Sequence, residues 1–382
     1  MTFPLAGTRV LDLSQAISGP YSGRILADLG ADVVKVEWPR GDVSNAFGRK
    51  VGGITGLFTQ MNASKRGISV DLAVPAGVDL IRRLAASAHV VIENFRPGVL
   101  DRAGLGYAVL GATNPALVML SISGFGATSP ESQRQAYAPV IHAESSLLAR
   151  QASFDDRPTT DLALALADSF ASLHGTVALL AALNLCARTG SGQHIDLSML
   201  DAMVATDDYA HYAVDEVYDI YPQRGEIWDA VGGPIMVAGD PKATWSRVAK
   251  HAGIADPAPS AELATKIAAR HDAVAAWIAS FTDRSALIAE LAAANLAWAD
   301  VRTTETLLES PSLQAREMVA TVDNGEGGQR RVIRMPYRFS DAECDVRGAA
   351  PGVGRDNNAV LGDWLGLTAS EIDALQGAGA LG

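Results

Sequence analysis

A carboxylate at the start of a helix, a glycine-bearing turn after a strand and a scatter of basic side chains are the features of this chain that could do chemistry. The turn lies in VLDLSQAISGPYSGRILADLGADVVKVEWPRGD, residues 10–42. That stretch reads as a strand, a turn, a helix and a second strand ending in Glu37, the outline of a nucleotide-binding βαβ unit. A dinucleotide fingerprint needs GxGxxG directly after the first strand, so that backbone amides can approach a pyrophosphate. Here only Gly19 and Gly23 are present, and Pro20 removes one of the amides. Glu37 stands where a ribose-binding acid would stand, but the glycines argue against NAD or FAD. The carboxylate is Asp168, opening the long apolar pattern DSFASLHGTVALLAALNLCARTG. An aspartate there is readily explained as an N-cap, worth ~1 kcal/mol. It is also pre-oriented for nucleophilic work, with the positive helix end favouring its ionised form.

No metal or disulfide chemistry is suggested. The seven histidines, at 89, 142, 174, 194, 211, 251 and 271, form no HxxxH or HxH pair. Cys186 and Cys344 lie in no CxxC pattern, which fits a reducing, cytoplasmic setting. The formal net charge of −12 argues against nonspecific nucleic-acid binding. The apolar run GTVALLAALNLCA is too short to span a bilayer, and MTFPLAGTRV is not a signal peptide.

Positioning these residues requires a framework. At 382 residues and 48% apolar composition, the chain can build a large core, with two domains expected. RVLDL, DVVKVE, GISVDL, HVVIENF, LVMLSIS and HIDLSM have strand length and alternate with helical patterns. That order predicts an α/β fold with a parallel, doubly wound sheet. The Asp168 helix should end at Gly190, after Arg188 in its last turn. Residues 201–224 read as a connecting segment. A smaller domain follows, with a strand at IMVAG and a helix capped by Asp240 with Pro241 first. SAELATKIAAR, DAVAAWIASF and RSALIAELAAANL read as three further helices. MVATVD and RRVIRMPYRF are strand-like runs about the turn NGEGG, and TASEIDALQGAG reads as a last short helix.

Longer phrases accumulate in order: PLAGTRVLDLS, LADLGADVVKVEWPRGD, NASKRGISVDL, ASAHVVIENFRPGVLDRAGLGY, NPALVMLSISGFG and LADSFASLHGTVALLAALNLCARTGSGQHIDLSMLDAM. Together they resemble the class III CoA-transferase family, the carnitine/bile-acid (CaiB/BaiF) type. The likeness is dense over residues 4–203 and thinner in ETLLESPSLQAREMVATVD and YRFS. It implies a Rossmann-like large domain of residues 1–201, completed by 332–382. A linker at 202–224, a smaller inserted α+β domain at 225–320 and a return linker at 321–331 would complete the chain. It further implies an interlocked homodimer, acyl-CoA and a carboxylic acid as substrates, coenzyme A as the transferred group and no permanently bound cofactor.

By the same resemblance Asp168 matches the catalytic aspartate. Gln15 and Ala16 match positions beside the thioester. Val70, Asp71, Leu72 and Ala73 match a stretch lining the adenosine. Asn94, Phe95 and Arg96 match pantetheine and phosphate contacts, Arg102 a basic residue near the phosphates, and Gln135 and Tyr137 a loop near the active site. An acidic protein binding CoA needs local positive charge, expected from Lys65, Arg66, Arg96 and Arg102. Taken singly, each of these is an ordinary surface charge. The chain also departs from its relatives. Trp38 follows the acid of VKVE, so either Arg40 supplies the charge there or Trp38 stacks on the adenine. YAPVIHA replaces YDPVIQA, which puts Ala138 and His142 where Asp and Gln are usual. His142 could touch the acceptor or simply pack. VGG at 231–233 is the nearest candidate for a glycine-rich lid. An α-methylacyl-CoA racemase would carry a His–Asp pair where this chain has Tyr137 and Ala138. A NAD-dependent oxidoreductase and a non-catalytic CoA-binding protein are the readings from other classes.

Overall fold

A computed structural model describes residues 2–219, 225–323 and 328–382. Part of the expected linker (220–224) and most of the NGEGG turn (324–327) lie outside the described residues. The chain divides into two compact units, residues 1–211 with 317–382, and residues 212–316.

All six expected strands of the larger unit form. They are β1 (Arg9–Asp12), β2 (Asp32–Glu37), β3 (Arg66–Ser69), β4 (Val90–Glu93), β5 (Val118–Ser123) and β6 (His194–Ser198). They make one sheet in the order β3-β2-β1-β4-β5-β6, with every neighbouring pair parallel. The order reverses between β1 and β4, so loops leaving the carboxyl ends of those strands diverge and open a crevice.

Helices cover both faces because the strands are apolar on both faces. On one face lie α1 (Ser18–Asp28), whose Leu26 and Ala27 pack under Val10, Val33 and Ile92, and α3 (Leu166–Thr189), which contributes Ala171, Leu179 and Ala182. On the other face lie α2 (Pro75–Ser87), through Leu80, Ile81 and Leu84, and the helix Asn357–Leu365 from the far end of the chain, through Val360, Leu361 and Trp364. Burying one such side chain is worth ~1.5–3 kcal/mol, so this C-terminal helix is an integral part of the core.

Several expectations change. The helix holding GTVALLAALNLCA begins at Leu166, so the apolar run is part of a 24-residue element. By length and composition that element could cross a membrane, its most apolar 18-residue stretch having mean hydropathy 1.6. In this fold it lies against the sheet and α1. Of the residues read as connection, 201–206 lie in the helix Met199–Thr206, and 201–211 belong to the larger unit. The segment expected as a return linker includes parts of two antiparallel strands, Val319–Asp323 and Gln329–Ile333, also in the larger unit. The smaller unit has a three-stranded antiparallel sheet of Glu226–Trp228, Ile235–Ala238 and Ala297–Asp300. Its helix at Pro241–Ala252 is capped by Asp240 as expected. The two helices read from 260–270 and 272–281 are one, Leu263–Ala279, since nothing between them breaks a helix. Arg270 and His271, at the apparent gap, pair with Asp256 and Glu226.

Candidate active site

The site is built on the turn from β1 to α1. Its two glycines serve packing: a Cβ at Gly19 would sit 2.2 Å from that of Ser14, and one at Gly23 would sit 2.8 Å from an Asp12 carboxylate oxygen. Asp12 ends β1 fully buried, in an ion pair of 2.7 Å with Lys65. The Lys65 ammonium also donates to the Pro20 carbonyl and Asn62 side chain, at 2.7 and 2.9 Å. Burial pulls its pKa down to about 8 against the pull of Asp12. Lys35, also buried, pairs with Asp42 at 2.9 Å and donates to the Ser14 carbonyl. Asp42 in turn accepts the Ala16 amide at 3.2 Å. Ala16 needs that hold, because its φ of 64° is a left-handed conformation costing roughly 1–2 kcal/mol for a residue with a Cβ. These charges are satisfied inside the protein, so the network fixes the turn and leaves no cation free for a ligand.

A second clamp comes from β4. The Asn94 side chain accepts the Gln15 amide at 2.8 Å and donates to the Gln15 carbonyl at 2.7 Å and the Ser18 hydroxyl at 3.0 Å. Its hydrogen-bonding groups are thus spent on the turn. Phe95 packs on the core, and its amide donates to Glu93 at 2.8 Å.

Asp168 faces this turn. It is not the N-cap of α3: Ala165 holds that position without a side-chain bond, and Asp168 falls in the first helical turn. The N-cap lies three residues earlier than an Asp168 cap would place it, which frees the carboxylate from capping its own helix. Burial raises its pKa, while the Ser18 amide and hydroxyl pull it back. The Ser172 hydroxyl ties the pair together, lying 2.6 Å from both the Ser18 and Asp168 carbonyl oxygens with one proton to donate between them. Ser18 is 3% exposed and opens α1, so the N-termini of α1 and α3 converge on one carboxylate.

The carboxylate lines a cleft of about 200 Å³ with Gln15, Ala16, Ser18, Asn94, Phe95, Arg96 and Tyr137, at the carboxyl end of the sheet. An adjoining cleft of about 520 Å³ shares Gln15, Val43 and Tyr137 and adds Arg40 and Lys50. The structure therefore brings together six of the residues matched to CoA contacts, with Arg40 next to them. Trp38 is half-buried, and the Arg40 guanidinium lies over its ring at 5.2 Å. Val70, Asp71, Leu72, Ala73, Arg102 and Gln135 line neither cleft. Val70 pairs with Leu381, and the Asp71 amide donates to Ala380. Gln135 donates to the Tyr137 hydroxyl at 3.3 Å. The expected positive cluster is corrected: Lys65 is sealed against Asp12, and Arg66 is paired with Asp32 and Asp363, each at 2.6 Å.

Ser18, Lys50 and the role of His142 escaped the sequence reading. A serine after an isoleucine carries no signal, and Lys50 lies outside the matched phrases. No cluster of metal-ligating side chains occurs among the described residues. In the smaller unit the VGG loop is tied down: Arg284 donates to the Val231 and Gly233 carbonyls at 3.1 and 2.8 Å and pairs with Asp300.

Comparison with known proteins agrees with this architecture. The profile of CoA-transferase family III matches residues 5–357. The chain is 30% identical to a succinyl-CoA–D-citramalate CoA-transferase of Chloroflexus aurantiacus, over 98% of this chain and 97% of that one. It is 30% identical to a formyl-CoA:oxalate CoA-transferase of Streptomyces avermitilis, over the full length of both. Among solved structures, a CAIB/BAIF family protein from Brucella suis superposes with a TM-score of 0.80 at 31% identity, covering 95% of this chain and 100% of that one.

Proposed function

The chain belongs to CoA-transferase family III, and we propose that it moves CoA from an acyl-CoA thioester to a carboxylic acid through covalent intermediates on Asp168. The observation that carries this reading is the placing of one partly desolvated carboxylate, faced by the Ser18 donors, in a cleft at the sheet's carboxyl end. The Asp168 carboxylate attacks the thioester carbonyl, and the C–S bond breaks. A mixed anhydride and CoA thiolate result. The thiolate attacks the aspartyl carbon, releases the donor acid and leaves an aspartyl-CoA thioester. The acceptor carboxylate attacks that carbon, expelling thiolate and forming a second anhydride. Thiolate then attacks the acceptor's acyl carbon, giving the new acyl-CoA and free Asp168. Each attack on the aspartyl carbon puts negative charge on its oxygen, where the Ser18 amide and hydroxyl stand.

Arg96, Arg40 and Lys50 supply the positive charge for the phosphates of CoA in a protein of net charge −12. The relatives' acceptors, citramalate and oxalate, are small acids, and the same class is proposed here. The protein acts as an interlocked homodimer. Leu173, Val177 and Leu180 on α3, with Val204, are exposed apolar side chains that a second copy would cover.

Two measurements test the reading. Hydroxylamine trapping with an acyl-CoA donor is expected to leave a hydroxamate at Asp168, located by mass spectrometry. Light scattering at micromolar concentration is expected to give twice the chain mass. No adduct with any of a panel of donors would overturn the mechanism, and a monomer would overturn the assembly.

A further inference from the structure

Resting on the reading of Asp168 as nucleophile, we propose that His142 is its positioning residue: a neutral imidazole that caps the first turn of α3 from outside the helix, with Asp161 setting its tautomer. α3 starts without the usual device. Its N-cap, Ala165, has no side chain able to accept a hydrogen bond, and Asp168 is turned toward Ser18. The first amides of a helix have no partner within it and need one from elsewhere. His142 supplies one: its Nε2 accepts the Ala167 amide at 3.3 Å, one residue before the nucleophile.

The rest of the ring follows from that bond. An Nε2 that accepts carries no proton, so in the neutral ring the proton sits on Nδ1. Nδ1 lies 3.0 Å from an Asp161 carboxylate oxygen and donates to it. His142 is 1% exposed, and the Ser145 hydroxyl donates to its carbonyl at 3.2 Å. Both ring nitrogens are therefore engaged, and neither is available to a substrate. A second proton would place an N–H against the Ala167 N–H and a positive charge at the positive end of the helix. A His–Asp pair so close to the nucleophile resembles an acid–base dyad in composition, but its geometry assigns it to aiming the helix.

Glutamine can accept an amide hydrogen bond through its side-chain carbonyl, and leucine cannot. The test compares His142→Gln and His142→Leu, using transfer kinetics together with amide hydrogen exchange at Ala167 on the full-length protein. Leucine is expected to lower kcat on the order of tenfold or more, leave KM for acyl-CoA within about twofold, and speed exchange at Ala167. Glutamine is expected to recover most of kcat and the exchange protection. Asp161→Ala, which removes only the tautomer constraint, is expected to fall between them. If leucine and glutamine behave alike in both measurements, His142 is only packing and the proposal is wrong. The exchange measurement needs no turnover, so it decides the capping role even if the chain transfers no CoA. The nucleophile assignment fails separately, if Asp168→Ala retains transfer.

Discussion

Asp168 in the larger unit and Asp240 in the smaller are the same residue type at the same kind of place, the beginning of a helix. Asp240 is the N-cap, and its carboxylate accepts the Ala243 amide at 3.0 Å. Asp168 sits inside its first turn, is not the cap of its own helix, and faces donors from another helix across a cleft. One carboxylate completes its helix, while the other is held in place by its surroundings, with its oxygens directed at a pocket. A helix-opening acid is therefore no evidence of chemistry until its hydrogen-bond partners are known.

The contrast can be broken most decisively at Asp168. Asp168→Ala is expected to reduce CoA transfer by roughly 10³-fold or more with little loss of thermal stability, since relief of the buried charge offsets the lost Ser18 hydrogen bonds. An assay of acyl-CoA exchange paired with a melting curve checks both halves, and retained activity would end the distinction. Ser18→Ala comes next. Losing one of two donors on the aspartyl oxygen should lower kcat by about 10²- to 10³-fold with KM little changed, read from initial rates.

Glu93 sharpens the comparison as a carboxyl with no helix to serve. Burial raises its pKa to about 7 from the ordinary 4.5. Folding thus favours its protonated form, so its share of stability is complete below about 4.5 and is lost as pH rises through about 7. Glu93→Gln cannot ionise. Wild-type stability relative to this variant should fall by about 3 kcal/mol between pH 4.5 and pH 8, measured as denaturant midpoints. A parallel pair of pH curves would refute it. The smallest effect belongs to Asp240→Ala, which should cost ~1 kcal/mol by denaturation and leave transfer rates unchanged.

Much of the larger unit was legible because its signals are local. Each strand is a short apolar run, α2 carries its own periodicity and an N-terminal proline, and α3 ends at Gly190 in the left-handed conformation. The reading failed where local signals mislead. The charged Arg270-His271 step looked like a gap but continues a helix, and Asp168 looked like a cap when the helix had already begun. The site was legible only through the ordered phrases that match the family. Even there Asn94 proved to be a clamp on the turn, while Val70 to Ala73 line neither cleft.

The sequence alone determined the order of strands and helices and the family, and it singled out the aspartate proposed as nucleophile, because periodicity and motif are properties of neighbouring residues. Only the tertiary structure decided which charges are spent and which are open. Lys65 meets Asp12 from 53 residues away and is sealed, while Arg40 and Lys50 are left at the edge of the cleft. Residue type cannot separate these fates. The worth of a charge depends on its desolvation and its partners, and both are fixed by which distant segments the sheet brings together.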